Sequence, residues 1–233
     1  MNNSQKLPLF LTQVQPCSYL EEESQSLCLD PQAPINASIF SLLSEQGFRR
    51  SGQFIYRPHC PACNACVPVR VPVASFTPNK QQQRVLKRGA QLTVTEHQPR
   101  FTYEYFKLYQ RYIEQRHADG EMYPANIEQF QSFLSYPLPF ARFFEFRLKQ
   151  RLLAVAVTDV LDDGLSAVYS FFEPEDKYFS LGRYAILWQV AHAQQLGLTH
   201  LYLGYWIKDC AKMNYKTQYQ PIEGFIDEQW QRL

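Results

Sequence analysis

Two apolar segments joined by a short turn constrain the fold of this chain more than any other feature. Residues 151–160, RLLAVAVTDV, and 165–172, LSAVYSFF, flank the turn Asp162-Asp163-Gly164. An Asp-Gly pair between two such segments is typical of a β-hairpin. A helical pattern over about 183–196 and a strand pattern over 199–207 follow. The order strand, strand, helix, strand predicts an α/β domain with a mixed sheet.

The first part of the chain predicts a short helix and a strand that contains proline. The helix is expected over 34–47, with Asn36 as its N-cap and Gly47 as its C-terminal stop. Its inward-facing side chains are predicted to be Ile39, Phe40, Leu42 and Leu43. Residues 67–73, VPVRVPV, alternate like a strand. Their two prolines favour a sheet edge, because proline cannot donate a ladder hydrogen bond.

A polar, basic segment separates the two halves of the chain. Residues 79–89, NKQQQRVLKRG, place four cations within about two or three helical turns: Lys80, Arg84, Lys87 and Arg88. Pro78 and Pro99 flank this segment. We therefore predict two domains, a cysteine-containing domain over 1–95 and an α/β domain over 96–233.

The composition narrows the class of protein. A chain of 233 residues with 45% hydrophobic content can bury a core, but a net charge of +1 requires any RNA contact to use a local patch. The 15 Tyr and 17 Phe fit either an aromatic core or a stacking surface. No apolar run approaches the roughly 20 residues of a membrane span, and the first residues lack a signal-peptide pattern. We expect a cytoplasmic protein with neither a membrane nor DNA as partner.

A cysteine run is the strongest local signal for a metal. Cys60, Cys63 and Cys66 form a C-x2-C-x2-C pattern whose thiolates can converge on one ion or cluster. Cys17 is the predicted fourth ligand for zinc or an iron-sulfur cluster, with Cys28 and His59 as weaker alternatives. The other interpretation is a proline-rich turn with buried thiols and no metal.

Two further segments suit a phosphate or a base. In Tyr178–Tyr184, the residues Ser180, Gly182, Arg183 and Tyr184 open a predicted helix, whose N-H groups can hold an anion. An ordinary N-cap is the alternative. Lys212 and Lys216 lie among aromatic residues near the end of the chain and suit a nucleotide, although solvated lysines would look the same.

Two titratable residues are candidates for chemistry. Asp159 ends an apolar strand, where a carboxylate can be held in a cleft or can cap a turn. His117 follows an aromatic helical pattern, where a histidine more often meets the helix dipole than acts as a base.

Long ordered strings then resemble one family across nearly the whole chain. They include Pro16-Cys17-Ser18-Tyr19-Leu20, Gly47-Phe48-Arg49-Arg50-Ser51-Gly52, Tyr56-Arg57-Pro58, Cys66-Val67-Pro68-Val69-Arg70, Tyr184-Ala185-Ile186-Leu187-Trp188-Gln189 and Leu201-Tyr202-Leu203-Gly204-Tyr205-Trp206-Ile207. These strings resemble the bacterial aspartate/glutamate leucyltransferases, which are relatives of the eukaryotic arginyl-tRNA-protein transferases.

The resemblance implies a GNAT-like acyltransferase domain preceded by a small cysteine-containing domain. It implies leucyl-tRNA as the donor, proteins with N-terminal Asp or Glu as acceptors, degradation of the products by the N-degron pathway, and no acyl-CoA. In the arginyl relatives, two separated cysteine pairs build the metal or cluster site. Cys17, Cys63 and Cys66 look like their counterparts, but only one cysteine lies near residue 17.

On this resemblance, several residues acquire expected roles. Backbone N-H groups near Tyr169 face the reacting carbonyl, Asp159 orients the amine, and Tyr169, Phe171 and Leu187 line a leucine pocket. A buried arginine binds the acceptor carboxylate, with five candidates: Arg49, Arg50, Arg57, Arg70 and Arg147.

Other functions remain open from the residues. An acetyl-CoA-dependent N-acetyltransferase on the same fold would need a tighter glycine-rich loop than 180–184 offers. A zinc-knuckle RNA-binding module without catalysis is a second alternative. A transferase with a cell-wall precursor as acceptor, or one with an arginyl donor, would differ in substrate only.

Overall fold

The computed structural model describes residues 7–233, so the first six residues of the predicted domain over 1–95 lie outside it. Its α-helices are α1 (Ala37–Glu45), α2 (Lys80–Gly89), α3 (Tyr103–Arg116), α4 (Ile127–Phe133) and α5 (Leu181–Gln195). Its strands are β1 (Leu9–Leu11), β2 (Gln15–Pro16), β3 (Glu23–Ser24), β4 (Ser26–Leu29), β5 (Arg49–Ser51), β6 (Phe54–Pro58), β7 (Val67–Pro72), β8 (Thr93–His97), β9 (Ala141–Leu148), β10 (Arg151–Val160), β11 (Gly164–Phe172), β12 (His200–Trp206), β13 (Glu223–Ile226) and β14 (Gln229–Arg232).

Most strands belong to one large mixed sheet with the order β14-β13-β7-β12-β11-β10-β9-β8. A smaller sheet has the order β1-β4-β6-β5, and β2 pairs with β3. The predicted hairpin is confirmed as the antiparallel pair β10 and β11. Helix α5 then crosses over and returns the chain to β12, which pairs with β11 in parallel. A parallel pair requires such a crossover, so the predicted mixed α/β fold is confirmed.

The large sheet is covered on both faces. Alternate residues of β10 enter different cores, because successive side chains of a strand point to opposite faces. Ala156 packs with α2 and α5, whereas Val155 and Val157 pack with α3 and α4. A third core joins α1 and the small sheet to the face of the large sheet that α3 and α4 cover. Among residues 7–233, no helix has the length and hydropathy to cross a bilayer.

Strand β7 corrects the expectation of an edge strand. It lies between β12 and β13, so it is an interior strand and not an edge. Its prolines are tolerated there because β13 pairs only with Val69 and Arg70. Since β7 is part of the large sheet, a domain boundary at residues 95 and 96 does not separate the two sheets.

Helix α1 follows its sequence signals closely. The Asn36 side chain accepts a hydrogen bond from the Ile39 N-H, as predicted for an N-cap. Phe40 and Leu43 are buried, but Leu42 is 64% exposed. The expectation that Leu42 faces inward was therefore wrong, because the apolar face of a nine-residue helix is narrower than its run of apolar residues.

Helices α2 and α5 touch where a glycine removes all side-chain bulk. A Cβ atom on Gly89 would lie 2.0 Å from the Tyr184 ring. We expect Gly89→Ala to lower the free energy of unfolding by about 1–3 kcal/mol, because this overlap outweighs the better helix propensity of alanine. Urea denaturation measures the change. Gly120→Ala is the control, since its nearest Cβ contact is an ordinary 3.5 Å; equal effects of the two substitutions would contradict the packing argument.

Candidate functional site

The two central strands of the large sheet, β11 and β12, are paired at one end and separate toward the other. Strands β11 and β12 pair only at Gly164–His200, Leu165–Leu201 and Ser166–Tyr202. Beyond that point neither strand has a ladder partner across the gap. Gly204, with φ of +80°, lies at a register shift between β12 and β7. From Ala167 onward, the β11 edge that faces β12 can therefore offer backbone groups to a ligand.

Lys216, from the 3-10 segment Ala211–Gln218, contacts β12 beyond its last pair with β11. Its Nζ donates a hydrogen bond to the Tyr205 carbonyl and lies 3.6 Å from where a Gly204 Cβ would be. The side chain is buried. Burial, helped by the positive charge of Arg49, lowers the pKa of Lys216 to about 8. A buried lysine with a lowered pKa thus lies against Gly204.

Arg49, from β5, is the second buried cation. It is 6% exposed, and its Nη2 donates one long hydrogen bond of 3.4 Å to the Val69 carbonyl. Its Nε and Nη1 are buried without a hydrogen-bond partner. The guanidinium lies 4.9 Å from the centre of the Tyr202 ring. Burial lowers the pKa of Arg49.

Arg50 and Asp159 neutralise each other. Nε and Nη2 of Arg50 donate to the two carboxylate oxygens of Asp159, each at 2.7 Å, and both side chains are fully buried. Burial raises the pKa of Asp159, while the Arg50 guanidinium acts in the opposite direction. This pair joins β5 of the small sheet to β10 of the large sheet. Asp159 therefore lies inside the protein and is paired with Arg50, whereas the sequence suggested either a carboxylate in a cleft or a turn cap.

The other candidate arginines already have carboxylate partners. Arg57 contacts Glu228 at 3.4 Å, and Arg70 contacts Glu223 at 2.7 Å. Arg147 bridges Glu104 and Glu145. Of the five arginines selected from the sequence, all within the described part of the chain, Arg49 is the one with no carboxylate within salt-bridge distance.

Tyr169 lies on β11 beside the gap. Its hydroxyl is buried and has no partner within residues 7–233, and burial raises the pKa of this hydroxyl. Its ring packs edge-on against Tyr109, Tyr112 and Phe133. Tyr169, Phe171 and Leu187, which the sequence analysis assigned to a leucine pocket, do not line one common pocket. Phe171 belongs to the α3 core and Leu187 to the α5 core, on opposite faces of the sheet.

The start of α5 lies near the same gap. Ser180 has a φ of +53° and makes no side-chain cap. Gly182 packs against Phe172, and Arg183 donates to the Gln218 side chain at 3.3 Å. Tyr184 is buried in the core between α2 and α5, so its ring does not face a ligand. The first N-H groups of α5 are therefore free of side-chain caps, as an anion site requires.

Lys212 and the cysteines lie near the segment that carries Lys216. Lys212 is exposed and paired with Asp119 at 2.7 Å. Burial, and the nearby Cys60, Cys17, Cys63 and Cys210 thiols, raise the pKa of Cys66 to about 11. The thiols thus gather around Cys66, and Cys210 joins the predicted set of Cys17, Cys60, Cys63 and Cys66.

The assembled thiols do not make a metal centre as they stand. Throughout the described range, no group of three or more His, Cys, Asp or Glu side chains has the geometry to hold a metal ion. We therefore derive no chemistry through a metal. The zinc or iron-sulfur site stays a prediction from the sequence. The sequence analysis did not include Cys210 in the predicted ligand set, and the one signal for it is its position directly before the segment that carries Lys212 and Lys216.

A mixed sheet whose central parallel strands separate, with a helix N-terminus near the gap, is the arrangement of a GNAT-like acyltransferase. The model named "Arginine-tRNA-protein transferase, C terminus" matches residues 104–226, and the N-terminus model of the same name matches 15–84. The chain is 60% identical to the aspartate/glutamate leucyltransferase of Pseudomonas fluorescens (strain Pf0-1), over 99% of this chain and 98% of that protein. It is 58% identical to the Pseudomonas paraeruginosa protein of that name, over the full length of both.

The chain belongs to the aspartate/glutamate leucyltransferase family, which confirms the resemblance. A solved structure, L-PGS from Bacillus licheniformis, has a TM-score of 0.50 and 12% identity; the match covers 69% of this chain and 58% of that one. That likeness concerns the fold alone.

Proposed function

We propose that this chain transfers leucine from leucyl-tRNA to the N-terminal Asp or Glu of acceptor proteins, in the cytoplasm, and so marks them for degradation. The observation that carries the proposal is the gap between β11 and β12. It has free strand edges, two buried cations that contact β12, Arg49 and Lys216, and the start of α5 against Phe172 of β11. Relatives of the same length carry the leucyltransferase name.

The donor side of the gap suits the end of a tRNA. The N-H groups at the start of α5 favour a phosphate, and Arg183 lies in the first turn. Helix α2 packs against α5 and carries exposed Lys80, Arg84 and Lys87. These cations supply the local basic patch that a chain of net charge +1 needs for RNA.

The reaction is aminolysis of an ester. The α-amine of the acceptor attacks the leucyl carbonyl, the C-N bond forms, the ester C-O bond breaks, and the amine proton ends on the ribose oxygen. In this proposal, β11 N-H groups from Tyr169 onward that have no partner on β12 stabilise the oxyanion together with Lys216. The buried cations Arg49 and Lys216, if they lie beside the amine, would lower its pKa below the usual value of about 8. A lower pKa favours the neutral amine, which is the nucleophile.

A donor and acceptor panel tests the proposal. The purified chain is given leucyl-tRNA, arginyl-tRNA or acetyl-CoA, with peptides that begin with Asp, Glu, Asn or Ala. Leucine on the Asp and Glu peptides alone is the expected result. Arginine transfer would change the donor, and acetyl transfer without leucyl transfer would overturn the proposal.

The basic face of α2 gives a separate prediction. We expect the double substitution Arg84→Gln and Lys87→Gln to weaken leucyl-tRNA binding. The plot of log affinity against log salt should become shallower by about 1.5, because each lost phosphate contact removes about 0.7–0.9 from the slope. Filter binding at several salt concentrations measures this. Lys107→Gln, an exposed lysine on α3, is the control; equal slopes for both variants would contradict a role for α2.

A further inference from the structure

Arg49 is a buried charge without a partner of opposite sign. It is 6% exposed, and Nε and Nη1 have no acceptor among residues 7–233. A buried guanidinium in this state is costly unless an anion is paired with it. Arg50, the next residue in the chain, differs from Arg49 in this respect. Its Nε and Nη2 donate to Asp159, and its Nη1 donates to the Gly52 carbonyl.

The groups around Arg49 leave its charge uncompensated. Asp159 is near, but Arg50 occupies both of its oxygens. Lys216 adds a second positive charge, and Tyr56, Tyr202 and Tyr205 are phenols with raised pKa values, hence neutral. The surroundings of Arg49 therefore favour an added anion.

We propose, on the basis of the proposed leucyl transfer, that Arg49 binds the side-chain carboxylate of the acceptor's N-terminal Asp or Glu. Its free N-H groups donate to the carboxylate oxygens. Lys216 is near Arg49 and contacts β12 beyond its last pair with β11. In this proposal the amine of the bound residue lies on the side of Lys216 and faces the β11 edge. An Asn or Gln side chain brings no charge to offset the two cations, and this loss would make such acceptors poor.

The test compares acceptors that differ only in charge. Values of kcat/KM are measured with peptides that begin with Asp, Glu, Asn or Gln, for the wild type and for Arg49→Gln. We expect Arg49→Gln to lose on the order of 100-fold on the Asp and Glu peptides, with the Asp-to-Asn ratio falling close to one. Arg49→Lys should be intermediate, since it keeps the charge but loses the planar fork.

Arg142→Gln is the matched control, because that guanidinium is already held by Glu96 and two backbone carbonyls. It should keep the wild-type ratio. Binding of the Asp and Asn peptides is also measured by calorimetry, without tRNA, so that the inference is tested even if no donor is used. A wild type that transfers no leucine but prefers the Asp peptide through Arg49 would overturn the proposed function alone.

Stability separates a binding role from a structural one. In the free protein, the cost of burying the unpaired charge of Arg49 opposes its one long hydrogen bond and its contact with the Tyr202 ring, so Arg49→Gln should unfold at the same urea concentration as the wild type or higher. A variant that fails to fold, or one that folds and keeps the Asp-to-Asn ratio in both kinetics and binding, would overturn the assignment of Arg49.

Discussion

Replacing Asp159 with asparagine should lower the free energy of unfolding by about 3–5 kcal/mol, the cost of breaking a buried ion pair from one side. Arg50 and Asp159 are both fully buried and share two hydrogen bonds of 2.7 Å. Asparagine keeps the size of the side chain but leaves the Arg50 guanidinium as an uncompensated charge. Urea denaturation at pH 7, followed by circular dichroism, measures the change.

Two further variants make this prediction specific. Replacing both partners, Arg50→Met with Asp159→Leu, should recover most of the loss, because a buried ion pair is often equalled by apolar side chains of similar volume. Glu96→Gln, which breaks the more exposed pair of Arg142 with Glu96, should cost no more than about 1 kcal/mol. Similar losses for Asp159→Asn and Glu96→Gln would show that burial of the Arg50 pair does not control its energy.

Lys216→Met should remove an increase of about 3 kcal/mol that the free energy of unfolding of the wild type shows as the pH rises from 7 to 10.5. The folded protein holds the pKa of Lys216 at about 8, against 10.5 for an ordinary lysine. Between these values the unfolded chain binds more protons than the folded chain, so the wild type gains stability as pH rises. Methionine cannot titrate. Between pH 7 and pH 10.5, the free energy of unfolding of the wild type should therefore rise by about 3 kcal/mol relative to that of Lys216→Met.

Denaturation of both proteins at five pH values in this range measures the difference, in which the titration of shared tyrosines cancels. Lys212→Met is the control for the loss of a surface lysine, because Lys212 is exposed. Leucyl transfer by Lys216→Met should also fall by on the order of 100-fold, as for the loss of one donor to an oxyanion. A constant stability difference across pH would contradict the buried position of Lys216.

Much of the local structure could be predicted from the sequence. The hairpin of β10 and β11, helix α5 and strand β12 agree with their patterns, because periodicity, turn residues and caps are local signals. The N-cap of α1 was predicted for the same reason. The interior position of β7 was not predicted, since two prolines mark an edge strand unless the neighbouring strand is short enough to pair with neither of them.

The site shows the same division. The sequence selected five arginines for a carboxylate, and side-chain identity could not rank them. Their ranking came from partners far away along the chain: Asp159 for Arg50, Glu228 for Arg57 and Glu223 for Arg70. Arg49 stands out because no such partner reaches it. In the same way, the sequence allows Asp159 to be a carboxylate in a cleft, and only the structure shows that β5 places Arg50 against it.

By itself, the sequence determined the elements, the α/β class and the family, because these depend on residue types at short spacings and on long ordered strings. Only the tertiary structure decided which charges are paired, where the sheet opens and which buried donors are left free. Those properties depend on contacts between residues more than 100 positions apart, such as Arg50 with Asp159, and on burial, which sets the energy of a charge but leaves no local pattern in the chain.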